Sequence, residues 1–102
     1  MNEFLQEQKE LIEEYFQRLN QISESDAAIK LNDKWSKKEI IGHLIDSASV
    51  NHERFIRAQF KDDLVFPGYN QDKWVEVQNY QNANWGSLIE LWKNFNFIRW
   101  YL

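Results

Sequence analysis

The stretch WSKKEIIGHLIDSASVNHERFIRAQF, residues 35–60, decides the fold. It contains no proline, and Ser36 followed three residues later by Glu39 is the pattern of a capping box, in which the two residues satisfy each other's backbone N–H groups. Apolar residues then recur at helical spacing, with one stripe formed by Ile40, Ile41, Leu44, Ala48 and Phe55. The stretch therefore predicts a helix from about Lys37 to Phe60.

The sequence before this stretch has the same periodicity. Apolar side chains at positions 4, 5, 11, 12, 15, 16, 19 and 22 form one stripe, with Glu, Gln, Lys and Arg on the other side. This predicts a first helix over Asn2–Ile22. A polar connector with several Ser, Asp and Asn residues joins it to the helix that begins at Lys37.

The sequence after the stretch begins with a break at Pro67 and Gly68. The loop from Phe66 to Tyr80 is rich in aromatic and amide side chains, a composition that favours a cleft lid, a dimer contact or a seal on the end of a bundle. A short helical turn is predicted within it, near residues 72–77. Asn84, or Ser87 with a glutamate three residues later, can cap a third helix that runs to Leu102. Its predicted inward positions are 85, 88, 89, 92, 95, 99 and 102.

No stretch of the chain shows the alternation of a β-strand, and β-branched residues are few and scattered. The predicted class is therefore all-α: an up-down bundle of three long helices with one elaborated loop. At 102 residues, the chain is expected to form a single domain over residues 1–102.

Composition excludes several classes of function. A net charge of −4 and a pI near 5.1 argue against nucleic acid as a partner, because phosphate binding needs clustered Lys and Arg. The absence of Cys removes disulfides, thiolate ligands and a Cys nucleophile. The acidic N-terminus does not resemble a signal peptide, and no apolar run is long enough to span a membrane, so a cytoplasmic protein is expected.

The last eight residues, 95–102, are apolar on every side of a helical wheel. Such a helix is normally buried all round, and this one ends without a capping residue. The pattern predicts either a following helix that is missing from the chain or a second copy that covers this surface by dimerisation. The alternative is that residues 95–102 form the last core helix of a compact three-helix domain.

The two histidines, His43 and His52, lie nine residues apart on the predicted second helix. Nine steps of about 100° place them on nearly opposite sides, about 13 Å apart along the axis, so they cannot bind one metal ion together. His52 falls near the apolar stripe and is interpreted as an ordinary half-buried histidine. His43 falls on a second face with Glu39, Ser47, Val50 and Arg54, beside Asp46, which suits either a solvated surface or a polar cleft with a metal-binding imidazole.

Several strings of sequence together resemble the DinB-like superfamily, in its YfiT-like branch of metal-dependent hydrolases. They are residues 35–48 (WSKKEIIGHLIDSA), 51–59 (NHERFIRAQ), 66–75 (FPGYNQDKWV) and 78–80 (QNY), followed by Trp85, Leu88-Ile89, Leu91-Trp92 and Phe95-Asn96. The resemblance covers essentially the whole chain from Trp35 onward.

The resemblance implies a four-helix bundle, commonly homodimeric, in which three histidines bind a divalent ion such as nickel, zinc or iron. His43 matches the ligand on the second helix, whereas the other two, an HxxxH pair on the last helix, would lie beyond Leu102. A complete site would lower the pKa of a bound water or of a thiol substrate, and characterised relatives are thiol S-transferases and thiol-dependent isomerases. Glu39, Asp46 and Arg54 are then candidates to orient a ligand or the substrate.

The resulting hypothesis is a DinB-like hydrolase or thiol S-transferase subunit that lacks its fourth helix. It has an incomplete metal site at His43, and it is inactive or impaired as this chain. Expected partners are a second copy, bound through the third helix, and a small-molecule substrate if the subunit is active. The alternative is a non-catalytic helical dimerisation module. The substrate, the metal and the choice between a fragment and a natural short form stay open at the level of sequence.

Overall fold

A computed structural model of the chain describes residues 2–60 and 68–98. These residues form five α-helices and one 3₁₀ turn: α1 (Asn2–Asn20), α2 (Glu24–Ala27), α3 (Lys37–Ala58), α4 (Gln71–Gln78), the 3₁₀ turn (Tyr80–Asn82) and α5 (Trp85–Ile98). The described ranges contain no strand. The predicted all-helical class is therefore confirmed.

Besides the three long helices α1, α3 and α5, the described ranges contain two short ones, α2 and α4. The four-residue α2 interrupts the polar connector, where the side chain of Ser23 accepts a hydrogen bond from the backbone N of Asp26 at 3.1 Å. The short turn predicted near residues 72–77 is the eight-residue α4. Positions 99–102, which include the predicted end of the third helix, lie outside the described residues, as do Phe66 and Pro67.

Side-chain caps set the beginnings of the helices. The capping box is present: Ser36 Oγ accepts from the Glu39 backbone N at 3.2 Å, and Glu39 Oε1 accepts from the Ser36 backbone N at 3.0 Å. At α5, Asn84 Oδ1 accepts from the Ser87 backbone N at 2.9 Å, so Asn84 and not Ser87 is the cap. Each cap satisfies a backbone donor that the helix itself leaves unpaired.

Helix α5 occupies the centre of the described structure. It packs against α1 on one side and α3 on the other, whereas α4 and the 3₁₀ turn pack on α3. The buried apolar core comes from all of these elements: Phe16, Ala27, Ile41, Ile45, Val75, Tyr80, Trp85, Leu88 and Ile89. In α5 the predicted inward positions 85, 88 and 89 are buried, and 92 and 95 pack against the core.

Glu24 joins three of the helices at one end of the core. Its carboxylate accepts from Lys38 Nζ at 2.7 Å and from the backbone N of Trp85 at 2.7 Å. The hydrogen bond from Lys38, followed by that from Trp85, lowers the pKa of Glu24. The Trp85 indole donates to the backbone oxygen of Leu19 at 3.0 Å, which ties α5 to the end of α1.

The inward face of α3 matches the predicted stripe only in part. Of its members Ile41 is buried, whereas Ile40, Leu44 and Phe55 are exposed. The buried residues of the helix are Lys38, Ile41, Gly42, Ile45 and Asp46. The helix is therefore rotated so that its polar Asp46 side, and not the most apolar side, faces the 3₁₀ turn.

The stripe predicted for α1 is likewise only partly buried. Phe16 is in the core, and Leu19 and Ile22 pack against it. Phe4, Leu11 and Tyr15 are exposed. Contact with α5 alone covers a narrower strip of α1 than the sequence pattern offers.

Candidate functional site

His43 lies on α3 with its ring against the indole of Trp35; the ring centroids are 5.2 Å apart and the planes are tilted by 40°. The side chain is half-buried. Nδ1 is buried and forms no hydrogen bond with the described residues.

Asp46, one turn along the same helix, is a buried carboxylate with a relative exposure of 2%. Its Oδ1 accepts two hydrogen bonds, from the Tyr80 hydroxyl at 2.6 Å and from Gln78 Nε2 at 3.0 Å. Burial, and then the hydrogen bond to the Asp46 carboxylate and its charge, raise the pKa of Tyr80. The other oxygen, Oδ2, is buried and has no partner among the described residues.

Gly42 makes this arrangement possible. The Tyr80 ring lies directly over the α-carbon of Gly42, in the space that a β-carbon would occupy. Since no larger residue fits there, the glycine lets Tyr80 approach α3 closely enough to reach Asp46. Glycine normally destabilises the interior of a helix, and the packing of Tyr80 explains why one is present at position 42.

A second contact holds the segment before α4 against α3. The hydroxyls of Ser47 and Tyr69 are 2.8 Å apart and form a hydrogen bond. The Tyr69 ring in turn packs edge to face on Trp74, with the centroids 5.1 Å apart. Trp74 is partly exposed, so it does not seal the bundle end, whereas Tyr80 does belong to the core.

An open cleft of about 400 Å³ lies between the second half of α3 and the start of α4. Its lining residues are Val50, Glu53, Arg54, Arg57, Gly68, Tyr69, Asn70 and Trp74. Val50 and Arg54 were predicted to share a face with His43, and both line the cleft. His43 itself does not, because Val50 lies about 10 Å further along the helix axis.

The other predicted site residues have separate positions. Glu39 belongs to the capping box and also pairs with Lys30. Burial works to raise the pKa of Glu39, but the hydrogen bonds from Lys30 and from the Ser36 backbone outweigh it and lower that pKa. His52 is half-buried, as expected. No group of three His, Cys, Asp or Glu residues in the described ranges is placed to hold a metal ion.

Sequence reasoning missed the partners of Asp46. Gln78 and Tyr80 lie in the segment interpreted as a loop, and nothing in their spacing pointed to a residue more than thirty positions earlier. The one available signal was Gly42, since a glycine inside a capped helix often marks a close approach by another residue.

No family model, no curated protein and no solved structure matches the chain. Within the described ranges, no helix is both long enough and apolar enough to cross a lipid bilayer. What the chain does therefore has to be inferred from its own residues.

Proposed function

We propose that this chain is a subunit of a DinB-like metal-dependent hydrolase or thiol S-transferase in which His43 is a metal ligand. The chain by itself is inactive or impaired, because the residues that the structure describes place no three ligands around one ion. The single observation that supports the assignment to His43 is the position of its ring. It is held against Trp35, with Nδ1 buried and without a hydrogen-bond partner among the described residues.

The surroundings of His43 favour a ligand role over a purely structural one. A core histidine normally forms hydrogen bonds through its ring nitrogens, but the buried Nδ1 of His43 has no partner among the described residues. The hydrogen-bonded Ser47 and Tyr69 lie one turn further on, and the cleft follows on the same side of α3. The cleft itself begins about 10 Å beyond His43 along α3, so a small-molecule substrate bound there would lie on the far side of Ser47 and Tyr69 from the imidazole.

The donor set limits what the chain can do alone. Catalytic zinc sites use three protein ligands and keep one open position. The described residues offer the His43 imidazole and no group of three ligands. The residues present thus do not fit a complete site, and the remaining ligands of the proposed site come from outside the described residues.

Metal titration tests the proposal, and the chain offers a matched control because it has two histidines. Nickel or zinc is titrated into the protein, into His43→Ala and into His52→Ala, and binding is measured by calorimetry. Imidazole line broadening by nickel is followed in NMR spectra of the same samples. The expected result is weak binding, with a Kd above about 1 μM, as for a site with few ligands. Binding is lost in His43→Ala and retained in His52→Ala.

Three outcomes would count against the proposal. Equal binding by His43→Ala would place the metal elsewhere. Complete absence of binding would contradict the role of His43 as a metal ligand and would favour the non-catalytic interaction module. Submicromolar binding by the chain alone would show that it forms a full site, which contradicts the impaired state.

The exposed side of α5 supports the proposed homodimer. Leu91 and Ile98 are 44% and 46% exposed, and seven residues apart they lie on the same side of the helix. Light scattering of the protein and of Leu91→Glu tests this contact, with Glu90→Lys as a charge-changing control beside it. A dimer that Leu91→Glu dissociates would support it, and a monomeric parent protein would contradict it.

A further inference from the structure

Two buried side-chain atoms in the described part of the chain have no hydrogen-bond partner, and they belong to neighbouring residues on one helix. They are Nδ1 of His43 and Oδ2 of Asp46. Buried polar groups in folded proteins are almost always paired, because an unpaired one loses its hydration without compensation. Two such atoms close together on α3 call for a common explanation.

The two atoms are chemically complementary. A neutral imidazole carries one proton, on either nitrogen, and a carboxylate oxygen only accepts. Three residues of α-helix separate the side chains by about 60° around the axis and about 4.5 Å along it, which brings both to one side of α3. If the proton of His43 is on Nδ1, its natural acceptor is Asp46 Oδ2.

Asp46 is also held in place by other residues. Tyr80 and Gln78 both donate to Oδ1, so the carboxylate cannot turn freely, and Oδ2 is left with unused lone pairs. The ring of Tyr80 is itself fixed over Gly42. The carboxylate is thus a fixed acceptor beside the imidazole.

We propose that Asp46 is a positioning residue for His43: it selects the tautomer with the proton on Nδ1. The structure contains no direct hydrogen bond between the two atoms, so the Nδ1–H group donates to one buried water molecule that in turn donates to Asp46 Oδ2. This leaves the lone pair of Nε2 free, as a metal ligand requires. The inference deepens the proposed function and takes its significance from it, but the tautomer is a property of the metal-free chain and is measured without metal.

Long-range ¹H–¹⁵N correlation spectra of the imidazoles give the test. The metal-free protein is studied at about pH 8.5, roughly two units above the usual pKa of histidine in model peptides. With two histidines, the spectrum contains two ring systems, and His52→Gln assigns them. The expected spectrum shows the proton of His43 on Nδ1. A His43 with its proton on Nε2 in the parent protein overturns the proposal, whatever any variant does.

Asp46→Asn is the decisive variant. Tyr80 and Gln78 both donate to one oxygen, so the asparagine places its carbonyl oxygen there and turns its NH₂ group toward His43. An NH₂ group at that point donates to the same water molecule, which then donates to Nδ1 and selects the opposite tautomer, as asparagine in place of an orienting aspartate does elsewhere. We expect the proton of His43 to move to Nε2, with the His52 signals unchanged. An unchanged tautomer in the folded variant contradicts the proposal.

Tyr80→Phe is the control for a merely structural effect. It removes one donor to Oδ1 but keeps the carboxylate and the Gln78 hydrogen bond, so His43 keeps its proton on Nδ1 even if the protein loses stability. A tautomer change in this variant, equal to that in Asp46→Asn, would show that loosened packing and not the carboxylate sets it. If the parent protein shows the expected tautomer but binds no metal, the proposed function is refuted and this inference still stands.

Discussion

Replacing Gly42 by Ala tests whether the close approach of Tyr80 to α3 stabilises the fold. On helix propensity alone, this substitution in the middle of α3 would stabilise the protein by about 1 kcal/mol. The structure predicts the opposite sign. The added β-carbon would overlap the Tyr80 ring, which belongs to the buried core.

The expected loss follows from two effects of moving that ring. Forcing a side chain out of position in a packed core costs about 1–3 kcal/mol. Loss of the Tyr80 hydrogen bond to the Asp46 carboxylate adds about 1.5–3 kcal/mol, because its acceptor is buried and charged. After the gain of about 1 kcal/mol from helix propensity, the free energy of unfolding should fall by roughly 1.5–5 kcal/mol.

Urea denaturation followed by circular dichroism measures this loss as a lower midpoint at an unchanged m-value. Gly68→Ala is the control. It lies just before α4, where an added β-carbon would meet no atom within 4 Å. We expect a change within about 0.5 kcal/mol for this variant, as for ordinary surface substitutions. A Gly42→Ala protein as stable as its parent, or more stable, would refute the placement of Tyr80.

Three further perturbations have defined outcomes. Trp85→Phe removes the indole donor to Leu19 O and leaves a small void at a side chain only 3% exposed, so the thermal or urea-derived stability should fall by about 2–4 kcal/mol. Lys38→Met should lower the free energy of unfolding less than Glu24→Ala does in the same assay. Methionine fills the space of the buried Lys38 stem, whereas removal of the Glu24 carboxylate leaves a buried ammonium group unpaired. A larger loss in Lys38→Met would contradict this. The lowered pKa of Glu39 stabilises the folded state at pH values above the unfolded-state pKa of about 4.3, and this stabilisation is lost as the pH falls through the lower folded-state pKa. The free energy of unfolding of Glu39→Gln should therefore fall less steeply than that of the parent protein between about pH 5 and 3.

The helices that the sequence predicts best are those with local signals. The capping box at Ser36, the Asn84 cap and the inward positions of α5 follow from residues within one or two turns of each other, and the structure contains them. Helix α2 was missed because a four-residue helix is too short to show periodicity.

The inward face of α3 could not be predicted because it depends on distant residues. Hydrophobicity alone places Ile40, Leu44 and Phe55 inside, yet these side chains are exposed and Asp46 is buried. A buried carboxylate is stable only when donors reach it, and here they come from Gln78 and Tyr80, more than thirty residues away. Single-sequence patterns contain no information on such a pairing.

The same dependence explains how much of the site could be predicted. His43 and Asp46 were singled out because they occur together on one helix, whereas the network that orders Asp46 was not foreseen. Tyr80 fills the space above Gly42 and also donates to Asp46, so one residue contributes both to core packing and to the environment of His43. Stability and the candidate site are consequently coupled: a change that displaces Tyr80 should disturb the imidazole of His43 even in molecules that stay folded, whereas His52, nine residues further along α3, should be unaffected.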